Sequence, residues 1–254
     1  MRSLAAILAG LMVLSACHAA DAGDEVRPTQ DRAFPRADRP VAKVVSTQWS
    51  SEELRDRQGE AQSVMDEAEV APGMTVADIG AGEGYYTVRL AARVGEKGRV
   101  LAQDIDQGAL GRLGARIERE QLTSVSIKQG APDDPGLPPR SFDRVFMIHM
   151  YHEIAEPYPF LWRLWPALKP GGSVIVVDAD RPTDQHGTPP DLLFCEFETA
   201  GFRLAAFRRK PDVSGYYAQF VPAGSGPPEP SRMRSCHAGA KAEARASGGK
   251  VGGL

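Results

Sequence analysis

Apolar residues along this chain fall into two alternating patterns. Short unbroken runs predict buried strands, and runs with apolar positions three and four apart predict helices. From Ser50 to Ala68, Leu54, Ala61, Val64, Met65 and Ala68 share one helical face, with Ser50 and Glu53 placed as a capping box. Pro72-Gly73 stops that helix, and Val76 to Ile79 reads as the first strand. A helix through Thr87 to Val94, a turn over Gly95 to Gly98 and a second strand, Arg99 to Asp104, follow. Gln107 to Gln121 is helical in pattern but carries Gly108, Gly111 and Gly114, which lower its intrinsic stability. Strands are predicted at Ser124 to Gln129, Arg144 to His149 and Ser173 to Asp178. Helices are predicted at Pro157 to Leu168, with Trp162 and Trp165 packing on the sheet, and at Asp191 to Ala200. Arg203 to Lys210 and Tyr216 to Val221 form a hairpin around residues 211–215. Strands alternating with helices imply an α/β fold with a doubly wound, mostly parallel seven-stranded sheet and a C-terminal antiparallel hairpin. Ligands of such sheets bind outside the carboxyl ends of the strands.

The ends of the chain break this pattern. Leu4 to Leu14 is apolar but too short to span a bilayer. With Arg2 before it and small residues after it, the stretch reads as a secretory signal over residues 1–16. Leu14-Ser15-Ala16-Cys17 also resembles a bacterial lipobox, which implies a lipidated Cys17 and an exported, periplasm-facing protein held on a membrane surface. Residues 17–45 are polar, proline-bearing and aperiodic, as in a tether. Residues 222–254 are rich in Gly, Pro, Ser and Ala and read as a disordered tail. The domain proper is then 46–221, large enough for one core. Cys195 falls in a helix and Cys236 in the tail, so a disulfide between them is open but not indicated. A net charge of −3 with no basic stripe argues against a nucleic-acid partner. Oligomeric state is not legible.

The segment Asp78-Ile79-Gly80-Ala81-Gly82-Glu83-Gly84 carries the most chemistry. Alternating glycines let the backbone approach a ligand closely, because no Cβ intervenes. The spacing is G-x-G-x-G, unlike the G-x-G-x-x-G of dinucleotide sites. Asp78 before it disfavours a phosphate and favours positive charge or hydroxyls. Asp104 ends the second strand, where a carboxylate accepts from ribose hydroxyls, and Asp106 beyond it opens the next helix as a cap.

These pieces, followed by Gly130-Ala131-Pro132-Asp133-Asp134-Pro135, Ser141-Phe142-Asp143-Arg144-Val145-Phe146, Leu168-Lys169-Pro170-Gly171-Gly172 and Ala200-Gly201-Phe202, stand in a specific order. From about Ser50 to Val221 the chain resembles a class I S-adenosylmethionine-dependent methyltransferase. The resemblance implies a Rossmann-like fold and S-adenosylmethionine as cofactor; a small-molecule methyl acceptor is expected, its identity not legible. It places Asp78, Gly80, Gly82, Gly84 and Asp104 around the cofactor. It also implies an acid after the third strand that accepts from the adenine amino group. The family more often has that acid directly after the glycine, where this chain has Ala131, so Asp133 takes the role with Asp134 as its alternative.

His149-Met150-Tyr151-His152-Glu153 ends the fourth strand near the expected methyl group. His149 is expected to face the cofactor, and Tyr151 or His152 to reach an acceptor as a general base if one is needed. The competing reading has His152 and Glu153 as caps and Tyr151 as packing. No metal site is expected, since His149-x-x-His152-Glu153 lacks the H-E-x-x-H spacing. An exported cofactor-binding module of the same fold without catalysis is the alternative to an enzyme.

Overall fold

The computed structural model describes residues 27–43, 51–210 and 215–237. The leader, Cys17 and Ser50 lie outside them. The chain divides into two units, Met1–Arg32 and Ala33–Leu254. Within the first, the described residues hold one 3-10 turn, Thr29–Asp31.

The second unit contains one seven-stranded sheet. Its strands are β1 (Thr75–Ile79), β2 (Arg99–Asp104), β3 (Val125–Gln129), β4 (Phe142–Ile148), β5 (Leu168–Asp178), β6 (Phe202–Lys210) and β7 (Gly215–Pro222). Spatial order is β3-β2-β1-β4-β5-β7-β6. The first five lie parallel, and β7 inserts antiparallel between β5 and β6. The doubly wound, Rossmann-like sheet with a C-terminal hairpin is therefore the fold of this chain.

Helices cover both faces. They are α1 (Glu52–Arg57), α2 (Glu60–Glu67), α3 (Tyr85–Val94), α4 (Gln107–Arg119), α5 (Pro157–Leu164) and α6 (Pro190–Thr199). Alternation along the strands divides the core. Ala77, Val145, Met147, Val174 and Val176 pack with Leu161, Leu193 and Phe197 on one face. Val76, Val100, Phe146, Ile175 and Val177 pack with Val64, Leu90 and Val94 on the other. Burying each such side chain contributes about 1.5–3 kcal/mol.

Several boundaries differ from the pattern reading. The helix expected from 50 to 68 is two, because Gly59 adopts a left-handed backbone (φ 64°) between α1 and α2. Ser51 caps α1 by accepting from the Leu54 N–H. The helix expected from 157 to 168 stops at Leu164 and continues as the 3-10 turn Trp165–Ala167. Asp106 caps α4, accepting from Gly108 and Ala109, so the helix forms despite its glycines.

The tether and tail also need correction. Phe34 and Ala42 are buried, and Arg39 is paired in the interior with Glu196. Residues 223–237 pack on the domain. Met233 and Cys236 are buried, Trp162 donates to the Pro228 carbonyl, and Cys236 forms a disulfide with Cys195 on α6. A few anchors hold these segments, and an averaged composition conceals them. Residues 238–254 lie outside the described residues.

Candidate active site

The chain runs outward from β1 through β2 and β3, then reverses through β4 and β5. The crevice at such a reversal is the ligand site of open α/β sheets. Here it holds a cavity of about 660 Å³, and Asp78, Gly80, Gly82, Asp104, His149 and His152 are among the residues lining it.

The glycine loop forms one wall. Gly80 (φ 67°) turns the chain off β1, and a Cβ there would lie 2.9 Å from Met150 Cγ. Gly82 donates its N–H to Asp104 Oδ2 at 2.8 Å, while Asp104 Oδ1 accepts from the Asp106 N–H at 2.9 Å. A carboxylate offers about four lone-pair sites, so Asp104 keeps capacity for hydroxyls in the cavity. Gly84 does a different job. It stands at the N-cap of α3 with φ 91°, and a Cβ there would meet Leu113 Cδ1 at 2.4 Å, so it permits helix packing and is not among the lining residues.

Asp78 is buried and accepts from the Thr87 hydroxyl at 2.6 Å. Burial lifts its pKa to about 6, against the lowering effects of the Thr87 hydrogen bond and the Arg55 charge.

A second wall comes from α1 and α2. Glu60 receives a fork from Arg55 (Nη2 to Oε1 2.6 Å, Nε to Oε2 3.0 Å) and the Tyr86 hydroxyl at 3.1 Å. His149 Nε2 lies 3.4 Å from the same carboxylate. Burial pushes the Glu60 pKa up, but the hydrogen bonds and charges of His149 and Arg55 outweigh it and hold the group at about 2. Tyr85 lies between the Arg55 and Arg89 guanidinium groups, each 3.8 Å from its ring centroid. His149 itself has a left-handed backbone (φ 55°). Such strain in a non-glycine residue clusters at functional positions.

His152 lines the same cavity. Its Nδ1 is 3.0 Å from Asp178 Oδ1 at the end of β5. Asp178 is fully buried and fixed by the Thr188 hydroxyl at 2.7 Å and the Ala179 N–H at 2.9 Å. With Asp178 paired to Nδ1, Nε2 is the ring nitrogen not engaged in that contact. Glu153 and His186 also line the cavity. The strand-end rule that selected Asp104 applies equally to Asp178, but without Thr188 and His152 in view nothing distinguished it. His186 lies thirty-four positions from His152 and has no local signature.

Two assignments are corrected. Tyr151 does not reach the cavity: it is buried, and its hydroxyl donates to Glu196 Oε2 at 2.8 Å. Arg39 donates to the other oxygen of Glu196 at 2.9 Å, completing an interior network that binds the 33–43 segment to α6. Asp133 also turns away, since its carboxylate accepts from Arg163 on α5 at 2.7 Å while Ala131 and Pro132 line the cavity. Asp134 accepts from the Gly136 N–H and shapes that turn. Asp143 ties Thr75 to Lys169 at the far end of the sheet.

Residues 76–172 match a methyltransferase domain family. The match runs from β1 to the turn inside β5 and includes the glycine loop, Asp104, His149 and His152. Demethylmenaquinone methyltransferases of Bacillus cereus and Bacillus anthracis are 28% identical over 124 residues, 49% of this chain and 51% of theirs. The chain thus spans about half the length of these curated relatives. A crystal structure of an S-adenosylmethionine-dependent methyltransferase from Aquifex aeolicus superposes with a TM-score of 0.58 at 22% identity, covering 68% of this chain and 97% of that one. The [4+2]-cyclase SpnF shares the fold with a TM-score of 0.56 at 16% identity, covering 77% of this chain and 92% of that one. The fold is that of class I methyltransferases, and the chemistry must be argued from the site.

Proposed function

We propose that this chain is an S-adenosylmethionine-dependent methyltransferase acting on a small-molecule acceptor that gives up a proton. The observation that carries the reading is the hydrogen bond from Gly82 to Asp104 in the lining of a cavity of about 660 Å³. That joint sets a bare backbone loop beside an acid with spare lone pairs. The fit to the cofactor is good: no Cβ blocks Gly80 or Gly82, Asp104 accepts hydroxyls, and Asp78 supplies negative charge. The nonpolar part of the lining, including Ile105 and Ala109, suits an adenine.

When bound, S-adenosylmethionine supplies an electrophilic methyl group whose bond to sulfur breaks as an acceptor lone pair attacks, the electrons staying on sulfur. The protein's work is alignment, exclusion of water and removal of the acceptor's proton. His149, Met150 and the glycine loop form the floor on which the reactants meet. His152, Glu153 and His186 are the ionisable groups at the acceptor end. The curated relatives are named for demethylmenaquinone; in this chain the acceptor-end chemistry supports an acceptor with an ionisable group.

The same reading places the protein outside the cytoplasm, exported and anchored through a lipidated Cys17. The leader pattern supports it, and so does the Cys195–Cys236 disulfide, because such bonds persist in oxidising compartments. Among the described residues no helix is long and apolar enough to cross a membrane. Changing Cys17→Ser and fractionating cells tests the anchor: an unchanged membrane fraction excludes it. The activity is tested by calorimetric titration of the purified chain with S-adenosylmethionine and, separately, NAD. Saturable binding of the former alone, followed by methylation in an acceptor screen, is expected. Binding without methylation of any acceptor favours the non-catalytic module.

A further inference from the structure

We propose that His152, Glu153 and His186 form a binding site for one divalent transition-metal ion of the zinc class at the acceptor end of the cavity. One ligand atom from each of the three side chains lies within 4.8 Å of the others. Around zinc, with bonds of about 2.0–2.1 Å, tetrahedral ligands stand roughly 3.3 Å apart, so small side-chain rotations close the triad. Two imidazoles and one carboxylate, with remaining positions open to a ligand, suit zinc and its neighbours.

The surroundings are arranged as metal-binding histidines require. Asp178 holds His152 Nδ1 at 3.0 Å, which leaves Nε2 as the donor atom and fixes the ring. A carboxylate behind a histidine in this way orients the ring and raises its basicity. Asp178 is itself immobilised by Thr188 and Ala179, so the pairing is rigid. His186 sits on a loop closed on both sides. Arg181 Nε donates to the His186 carbonyl at 3.1 Å, and the Thr188 N–H donates to Ala179 O at 2.8 Å. The two imidazole rings meet edge to face with centroids 5.5 Å apart. Glu153 follows His152 directly in the 3-10 turn Tyr151–Glu153 and reaches the same space.

The ion's role rests on the methyl-transfer reading above. Held by His152, Glu153 and His186, the ion would make a bound acceptor hydroxyl more acidic, so that its proton would pass to solvent. The oxygen lone pair then forms the bond to the methyl carbon as the carbon–sulfur bond breaks. His152 is in this case a ligand, and no separate general base is required.

The test uses the full chain freed of metal with a chelator, titrated with zinc chloride by calorimetry and with cobalt(II) chloride by visible absorption. One equivalent is expected to bind, with cobalt giving the d–d bands of a low-coordinate nitrogen and oxygen site. His186→Ala should weaken zinc by about 100-fold and Glu153→Gln by at least about 10-fold, with Asp178→Asn falling in the 10–100-fold range of lost second partners. His237→Ala, at the surface pair with Asp38, should change nothing. Circular dichroism checks that each variant folds. Absence of saturable one-to-one binding overturns the proposal, as does wild-type affinity in both His186→Ala and Glu153→Gln. S-adenosylmethionine is titrated into the same metal-free protein. Cofactor binding without metal binding defeats the metal site alone; metal binding without cofactor binding leaves the site standing and defeats the methyl-transfer reading.

Discussion

Gly82 donates its N–H to the Asp104 carboxylate across 2.8 Å, joining the loop after β1 to the end of β2. One acid thereby sets the shape of the loop and still faces the cavity with lone pairs to spare. Loop and acid are twenty-two positions apart in sequence and form one device in space.

Replacing Asp104→Ala removes both contributions. Hydrogen bonds to a charged acceptor are worth about 1.5–3 kcal/mol, so affinity for S-adenosylmethionine should fall by roughly 10- to 150-fold. Calorimetry on the variant reads this directly. Wild-type affinity would remove Asp104 from the site.

If His152 works on the acceptor, as proposed, its loss should separate binding from turnover. With an acceptor from the screen, His152→Ala should lower turnover by about 100-fold or more, whether His152 takes the acceptor's proton itself or acts through a bound ion. Asp178 is a positioning residue, and Asp178→Asn should cost about 10- to 100-fold. Asp178→Asn should also displace the pH–rate profile, which a merely structural defect would leave in place. Cofactor affinity should stay near the wild-type value in both. A matching loss of cofactor affinity would place His152 in the cofactor subsite instead.

The sheet was legible because its signals are local. Apolar runs ending in acids mark β1 and β2, and the loop spacing marks one wall of the cavity. The cluster around His152 is only half legible. His152 was singled out, yet Asp178 and His186, which give it direction and company, reach it only through the β4–β5 pairing and the loop after β5. Tyr151 was misplaced for a related reason. One residue from His152, it points the other way in a tight 3-10 turn, toward a glutamate forty-five positions on. The break at Gly59 and the anchors Phe34, Met233 and Cys236 depend on packing that periodicity and composition do not report.

The Cys195–Cys236 bridge closes a span of 41 residues. Chain-entropy arguments assign such a loop about 4 kcal/mol. Cys195→Ser, or reduction of the native chain, should lower the urea midpoint accordingly. Identical midpoints with and without reductant would mean that the bridge contributes no stability.

Tyr151→Phe should affect stability and leave the chemistry alone. Its hydroxyl is one of two donors to the buried Glu196 carboxylate, whose pKa burial already raises against the opposing charge of Arg39. Withdrawing it should cost about 1–3 kcal/mol of folding free energy. Turnover measured below the melting transition should match the wild type. A large fall in turnover at full folding would restore the catalytic assignment.

Asp78 gives the fold an unusual pH dependence. Its carboxyl titrates near 6 in the folded protein, against 3.8 as the ordinary value, because burial disfavours the anion. Between these pH values the folded chain keeps a proton that the unfolded chain has released. The contribution is therefore fully favourable below about pH 4 and is lost as pH rises toward 6. At neutral pH the buried anion costs on the order of 3 kcal/mol. Asp78→Asn cannot ionise, so its stability relative to the wild type should increase across this window and then level off. Urea denaturation at about pH 4, 5 and 7 measures the difference. Parallel curves for the two proteins would show that Asp78 titrates normally. A cofactor carrying positive charge should reverse the penalty, so S-adenosylmethionine should bind the wild type more tightly above pH 6 than below it, and Asp78→Asn should lose that trend.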